Sequence, residues 1–300
     1  MAAFTAYDVV GKKEDISDII TNISPTDTPF ISSIGSEKVH NTLFQWQEDS
    51  LAATNTSNAL IQGADATETA PVATVMRQNY TQILGKTLKV ADTTDAVARY
   101  GRAKETAYQL GKYSKEIKRD LEAILTSSQS SAVGSTSVAA NTACFSAQID
   151  SGNLSKTGGS GTAMTETVFL TALQTLFNNG VDPKVTLIPP AESINVANYA
   201  SASGRYRTID TSDTGSNQKI VNAVNLYVSP FGEVKVALSR FQPAIDHLIY
   251  DPQYWKLAVL RSWTRETLAK TGDATKMMLI GEFGLIHRAQ KASGVVRKSA

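Results

Sequence analysis

Between Thr94 and Leu125, Val97, Tyr100, Ala103, Ala107, Leu110, Ser114, Ile117, Leu121 and Ile124 step by three or four. A stripe sustained over about thirty residues predicts one helix roughly 45–50 Å long. The rest of the chain must be built around that rod. Tyr, Ser and two Ala make a poor coiled-coil seam, so the helix is expected to lie across a sheet. On its polar side Lys112 with Glu116, and Lys118 with Glu122, read as i,i+4 pairs.

Two extensions precede the rod. Ile16, Ile19, Ile20 and Ile23 share one face of a short helix that Ser24-Pro25 ends, and Thr28-Pro29 starts a second that Gly35 closes. Residues 1–35 thus read as an arm too short to be stable alone. Residues 38–50 and 79–91 read as strands, with Phe44 and Trp46 on one face and Leu88 and Val90 on one face. About thirty polar residues join them, with Leu51, Leu60, Ile61, Val72, Val75 and Met76 as sparse anchors. A connection this long is uncommon in a compact domain, and a two-stranded ribbon is marginal by itself.

After the rod, residues 126–163 are mostly Ser, Thr, Ala and Gly, ending in Gly158-Gly159-Ser160-Gly161. They read as a flexible or hairpin insertion. A small mixed unit spans 164–245. Thr165 caps a helix carrying Val168, Phe169, Ala172, Leu173, Leu176 and Phe177, and Gly180 stops it. Val185–Ile188 is a buried strand, Pro189-Pro190 starts a helix through about Tyr199, and strands follow at 219–229 and 233–239. From Asp246 onward the chain reads as strands at 248–250, 254–263 and 276–288, with a turn at Lys270–Asp273. The fold class is α+β.

Composition narrows the chemistry. The 300 residues are 42% hydrophobic, which is ample for a core. Lys plus Arg number 29 against 28 Asp plus Glu, so no basic excess marks a nucleic-acid gripper. The single cysteine, Cys144, forms neither an internal disulfide nor a thiolate zinc site, and suits a reducing cytoplasm. No signal-peptide pattern and no run of roughly 18 apolar residues is present. The sequons at Asn22, Asn55, Asn79 and Asn153 therefore carry no meaning.

The catalytic inventory is empty. His40, His247 and His287 are far apart and read as ordinary strand histidines, not zinc ligands. Ser216–Lys219 matches Ser-x-x-Lys but sits in a polar loop, where a nucleophilic serine lacks its rigid setting. Asp15/Asp18 and Asp92/Asp95 lie near helix starts, where carboxylates complement the dipole. Gly158–Gly161 lacks the strand and Lys-Ser/Thr of a phosphate loop. Trp255 and Trp263 read as core before they read as a base or sugar platform. No catalytic, cofactor or metal residue is assigned. Arm, hairpin and rod instead expose faces that soluble monomers avoid, and contact with further copies of the chain resolves this.

Longer segments carry a resemblance. YDVVGKKEDISDIITNISPTDTPFISSIG, WQEDSLAA, IQGADAT, NYTQI and the AYQL…EIKRDLE run of the rod resemble a family of tailed-phage major capsid proteins with the HK97-like fold. VNLYVSPFGEVKV, YDPQYWKLAVLR and LAKTGDATKMMLIGEFGL resemble the same family. The resemblance covers nearly the whole chain except 127–163. It implies an N-terminal arm (1–35), an E-loop hairpin overlapping a neighbour (36–91), and a peripheral domain with spine helix and insertion (92–163). An axial domain (164–245) and C-terminal strands completing the peripheral domain (246–300) follow. It further implies pentamers and hexamers around double-stranded DNA, assembled in a host bacterial cytoplasm without a removed scaffolding segment of the chain's own. Portal, scaffolding or decoration proteins are further partners, and no membrane is involved. Some members cross-link a hairpin lysine to a neighbour's Asn. Residues 47–85 contain no lysine, so a non-cross-linked shell is expected. A nanocompartment shell of the same fold around a protein cargo is the alternative. A hydrolase or binding protein is a third reading, and it requires a deep polar pocket.

Overall fold

The computed structural model describes residues 27–63, 65, 68, 70–97, 104–157, 164–202 (backbone only for 200–202) and 226–299. The isoleucine face at 16–23, Asp15/Asp18, Gly158–Gly161, Ser216–Lys219 and most of the strand expected at 219–229 lie outside them.

The chain enters through α1 (Pro29–Ser33) and β1 (Gly35–Lys38), then forms β2 (Leu43–Glu48), β3 (Val75–Tyr80) and β4 (Gln82–Ala91). α2 (Asp92–Ala96) and α3 (Glu105–Thr126) follow, and then β5 (Leu154–Lys156), α4 (Glu166–Asn178), β6 (Val185–Ile188) and α5 (Ser193–Ala202). The last strands are β7 (Leu226–Ser229), β8 (Gly232–Leu238), β9 (Asp246–Tyr250), β10 (Trp255–Thr267), β11 (Ala274–His287) and β12 (Gly294–Arg297).

The rod is not continuous. α2 ends at Val97, which is extended, and Lys104 ahead of α3 is extended too. α3 has 22 residues, so it spans about 33 Å, not 45–50 Å. The cause is a cap supplied from ten residues upstream. Asp95 accepts hydrogen bonds from the Glu105 and Thr106 amides (2.8 and 3.2 Å) and from the Thr106 hydroxyl. A helix start satisfied this way carries no local cap signal. The Thr106 hydroxyl and the two amides hold the Asp95 carboxyl below the usual range. Asp92, in the first turn of α2, is held low by Lys270 and Thr275.

Two sheets carry the body. β1-β10-β11-β4 form one, with β1 parallel to β10 and the rest antiparallel, and α3 packs across β4 and β11. β5-β12-β9-β6-β8-β7 form the other. Residues 246–250 and 294–297 therefore join the sheet of the 164–245 unit, where β9 pairs with β6 and β12 with β5. This corrects the expectation that everything after Asp246 completes the rod's sheet. Period-two patterning reports exposure, not which strand will be the partner.

Both faces of β6, β9 and β12 in the six-stranded sheet are buried, and successive residues of these strands alternate between two cores. Ile188, Ile249 and Val296 meet α4 and α5 through Phe169, Leu173, Leu176 and Tyr199. Leu187, Leu248, Tyr250 and Val295 face Leu121 and Leu125 of α3, Phe30, Phe145, Trp255 and Leu285. That is why these strands read as unbroken apolar runs. α4 starts and stops as its sequence signals: the Thr165 hydroxyl accepts from the Val168 amide, and Gly180 takes φ +84.

The 126–163 insertion needs a second correction. Thr142, Ala143, Cys144, Phe145, Ile149 and Asn153 are buried, and Leu154–Lys156 is a strand. Phe145 is the aromatic anchor of the stretch: it stacks on Trp255 with centroids 4.4 Å apart and meets Phe30 and Tyr250 edge-on at 5.7 Å. Composition counted the Ser and Ala around it and missed that anchor.

Candidate assembly surfaces

β2 and β3 form an isolated two-stranded ribbon, Leu43 opposite Tyr80 through Glu48 opposite Val75. The strand paired with β2 is thus 75–80. Residues 82–91 leave the ribbon and run beside β11, contrary to the expected pairing of 38–50 with 79–91. Beyond the ribbon, Leu51, Leu60, Ile61 and Val72 are 100%, 79%, 83% and 84% exposed. Such a projection has no core of its own, and four bare aliphatic side chains on it mark a contact surface.

The base of the ribbon is rigid. Asn79 is fully buried. Its amide nitrogen donates to Leu285 O (2.7 Å), Thr142 Oγ1 (3.1 Å) and Ala143 O (3.2 Å), and its oxygen accepts from the Tyr80 and Ala143 amides (2.8 Å each). One side chain therefore ties ribbon, insertion and β11. Two residues on, Thr81 donates to Glu282 (2.7 Å), whose other oxygen accepts from Arg261 (2.9 Å). The β10–β11 register slips on either side of Arg261, and a bulge of this kind re-aims a side chain. Glu48 binds Arg77 across the ribbon (3.0 Å) and accepts from the Gln290 amide (2.7 Å). Gly284 leaves room for the Phe44 ring, since a Cβ there would lie 2.7 Å from it. The NYTQI and GEFGL segments thus owe their residue types to seating the ribbon. Asn79, read as an idle sequon, is the centre of that seat.

α1 is held on the last turns of α3. Glu122 is fully buried and accepts from the Phe30 and Ile31 amides, at 2.7 and 2.9 Å, while the Ser33 hydroxyl lies 2.8 Å from Tyr250 Oη. The expected Lys118–Glu122 surface pair is therefore absent, because the carboxylate turns inward to a helix start 91 residues away in sequence. Lys112 does lie 3.9 Å from Glu116. Burial pushes the Glu122 carboxyl up to about 7, against the pull of the two amides.

Two histidines are buried. His287 stacks on Trp255 (3.9 Å, 5°), with Nδ1 3.1 Å from Gln148 O and Nε2 3.1 Å from Ser293 Oγ, which accepts from Trp255 Nε1. A carbonyl can only accept, so Nδ1 carries the proton and Nε2 accepts from Ser293. Among the described residues His247 has no hydrogen-bond partner at either ring nitrogen. Burial brings His287 down to about 3 and His247 to about 4, despite the opposing influence of Glu192 on the latter. His40 is exposed, Trp263 packs on Phe283, and the three histidines do not converge.

These shifts set a pH dependence. Each histidine's folded pKa lies below its unfolded value, so its stabilisation is complete above about pH 6.5 and is lost as pH falls. The folded pKa of Glu122 is raised, so its contribution is present at low pH and is lost as pH rises from about 4.5 to 7. Between about pH 6.5 and 4.5 the unfolded chain holds about two of these protons against one in the folded chain, so subunit stability falls as pH falls, with a slope of about one proton. Urea unfolding of unassembled subunits reads this slope. Glu122→Gln roughly doubles it, and a flat profile in both proteins refutes the assignment.

Among the described residues no three His, Cys, Asp or Glu cluster as a metal site, and no helix is long and apolar enough to cross a membrane. Two open grooves, of about 280 and 380 Å³, flank Lys89 and Ala91. Their charged side chains are Asp273 and Glu105 beside that lysine. Neither groove is a deep convergent pocket.

A ribbon seated at the edge of one sheet, a spine helix across it and a second six-stranded unit define an HK97-like capsid subunit. Solved shells carry the same fold. The capsid of Cyanophage A-1(L) superposes with a TM-score of 0.68 at 12% identity, covering 98% of each chain. The SrpI encapsulin of Synechococcus elongatus superposes at 0.61 and 9% identity, covering 96% of this chain and 92% of its own. The chain belongs to the SU10 major capsid protein family, whose model matches residues 3–300. It is 32% identical over 349 residues to the major capsid protein of Escherichia phage Phieco32, covering 99% of this chain and 97% of that one. It is accordingly a major capsid protein of a tailed phage, a structural protein of the virion.

Proposed function

We propose that the subunit assembles in the host cytoplasm into pentamers and hexamers that close around double-stranded DNA, and that it has no catalytic role. Residues 1–35 act as the arm, the β2–β3 ribbon with its connection (43–80) as the E-loop and 164–245 as most of the axial domain, with β5, β9 and β12 added to the latter. The β1-β10-β11-β4 sheet with α2 and α3 forms the peripheral domain. The observation that carries this reading is the ribbon: a projection tied down at its base, whose long polar connection bares Leu51, Leu60, Ile61 and Val72 for a neighbour's surface to cover. Contacts of this kind can each be weak because a closed shell multiplies them. A nanocompartment around a protein cargo rests on the fold likeness alone.

Electron microscopy and light scattering of the full chain under assembly conditions should show closed shells. A permanent 32 kDa monomer overturns the proposal. Denaturing gels of mature heads should show a single subunit band, in keeping with the lysine-free stretch 47–85, and a ladder of covalent multimers overturns that part.

A further inference from the structure

α3 is formally neutral: Glu105, Glu116, Asp120 and Glu122 balance Lys112, Lys115, Lys118 and Arg119. The fold separates them. Glu122 is consumed by the α1 amides. Glu116 and Asp120 both bind Lys86 of β4, at 3.1 and 2.9 Å. Glu105 is buried and accepts from Gln109. The four cations, at about 100° per residue, occupy one arc of about 120° along about 10 Å of helix. Lys112, Lys115 and Lys118 are exposed. Among the described residues, Lys115 and Lys118 have no acidic partner, and Lys112 has only the Glu116 oxygen at 3.9 Å. Arg119 lies 6.0 Å over the Phe241 ring, beside exposed Arg240. Asp120, on the β4 side, is the half-exposed acid nearest the strip.

We propose that this strip, Lys112–Lys115–Lys118 with Arg119 and Arg240, is the surface through which the shell wall contacts the phosphates of packaged double-stranded DNA, and hence that this face of α3 lines the lumen. The inference rests on the reading of the chain as the wall of a DNA-filled head. Duplex DNA carries about one charge per 1.7 Å, so about six phosphates pass within the strip's length. Three to five flexible cations give weak contact without sequence preference. That suits a genome that must later leave, while many subunits acting together still hold the outer layer of duplex. A net charge of +1 conceals the strip because most of the acids of α3 are turned away from it, toward Lys86 and the α1 amides.

The test is fluorescence anisotropy of a labelled duplex of about 20 bp with full-length unassembled subunits, from about 50 to about 200 mM salt. Lys112→Gln, Lys115→Gln and Lys118→Gln together should reduce the slope of log K on log salt by about 2–3. The equally exposed set Lys38→Gln, Lys156→Gln and Lys235→Gln should leave it unchanged. Absent wild-type binding, an unmoved slope in the strip variant, or equal loss in both sets overturns the inference. Micrographs of the same preparations separate the two readings: shells with an indifferent strip remove only this one, and subunits that never close remove the capsid reading itself.

Discussion

Replacing Asn79 by Asp should cost the subunit about 3–5 kcal/mol and abolish shell formation at neutral pH, although the two side chains have the same shape. The amide nitrogen faces three acceptors: Leu285 O, Ala143 O and Thr142 Oγ1. A carboxylate oxygen in its place meets two carbonyls that cannot donate, at a site with no access to water. Among the described residues the groups bonded to Asn79 include no cation, and an uncompensated buried charge is among the costliest single changes. Asn79→Ala leaves the Ala143 amide and the carbonyls unmet without adding charge, so it should cost less, about 2–4 kcal/mol. The two are separated by pH. The introduced carboxyl is held protonated by burial and by the facing carbonyls, so its folded pKa is raised. Its deficit is therefore smallest below about pH 4 and grows as pH rises. Urea unfolding at two pH values reads this directly. Asn55→Asp makes the same change on an exposed side chain of the long connection and should be silent. A deficit at position 79 below about 1 kcal/mol, or one independent of pH, removes Asn79 from the centre of the ribbon's seat.

The elements that announced themselves in the sequence are those whose causes are local. Thr165 and Gly180 bracket α4 because cap and stop lie within a turn of the helix they limit. Val185–Ile188, the turn at Lys270–Asp273 and the long strands on either side of it were legible for the same reason. Each error has a cause distant in sequence. α3 begins late because its cap, Asp95, is ten residues away. Glu122 looked like a surface partner of Lys118, but its donors come from Phe30 and Ile31. β9 and β12 joined the other sheet, a choice made by their partners β6 and β5 and invisible in their own alternation. The same blindness hid the cationic strip. A count of charges treats Glu116 and Asp120 as shielding the lysines beside them, whereas Lys86, some thirty residues earlier, takes both.

Phe145 gives the sharpest test of how the insertion is used. Truncation to Ala should cost about 3–5 kcal/mol, because the ring fills the centre of an aromatic cluster. It stacks on Trp255 and meets Phe30 and Tyr250 edge-on, each pair adding about 0.5–1.5 kcal/mol beyond area. Its amide donates to Leu125 O at the end of α3, so the lost ring also loosens the helix end on which α1 rests. Ten residues earlier the same stretch behaves otherwise. Ala132 and Asn141 exchange backbone hydrogen bonds of 3.0 Å, and residues 133–140 beyond that bridge are mostly exposed. Replacing 133–140 by a two-residue turn should cost under about 1 kcal/mol, since exposed loop tips tolerate change and loop length enters only logarithmically. Urea unfolding of both variants, with micrographs under assembly conditions, compares them. The tip deletion should still close into shells, whereas Phe145→Ala should not, because Phe30 loses a ring it packs against and the arm's attachment goes with it. Equal behaviour of the two would mean that the insertion is seated by its bridge and not by its phenylalanine. The union of arm, spine helix and second sheet would then rest on Tyr250, Trp255, the aliphatic side chains around Phe30 and the Glu122 hydrogen bonds to α1.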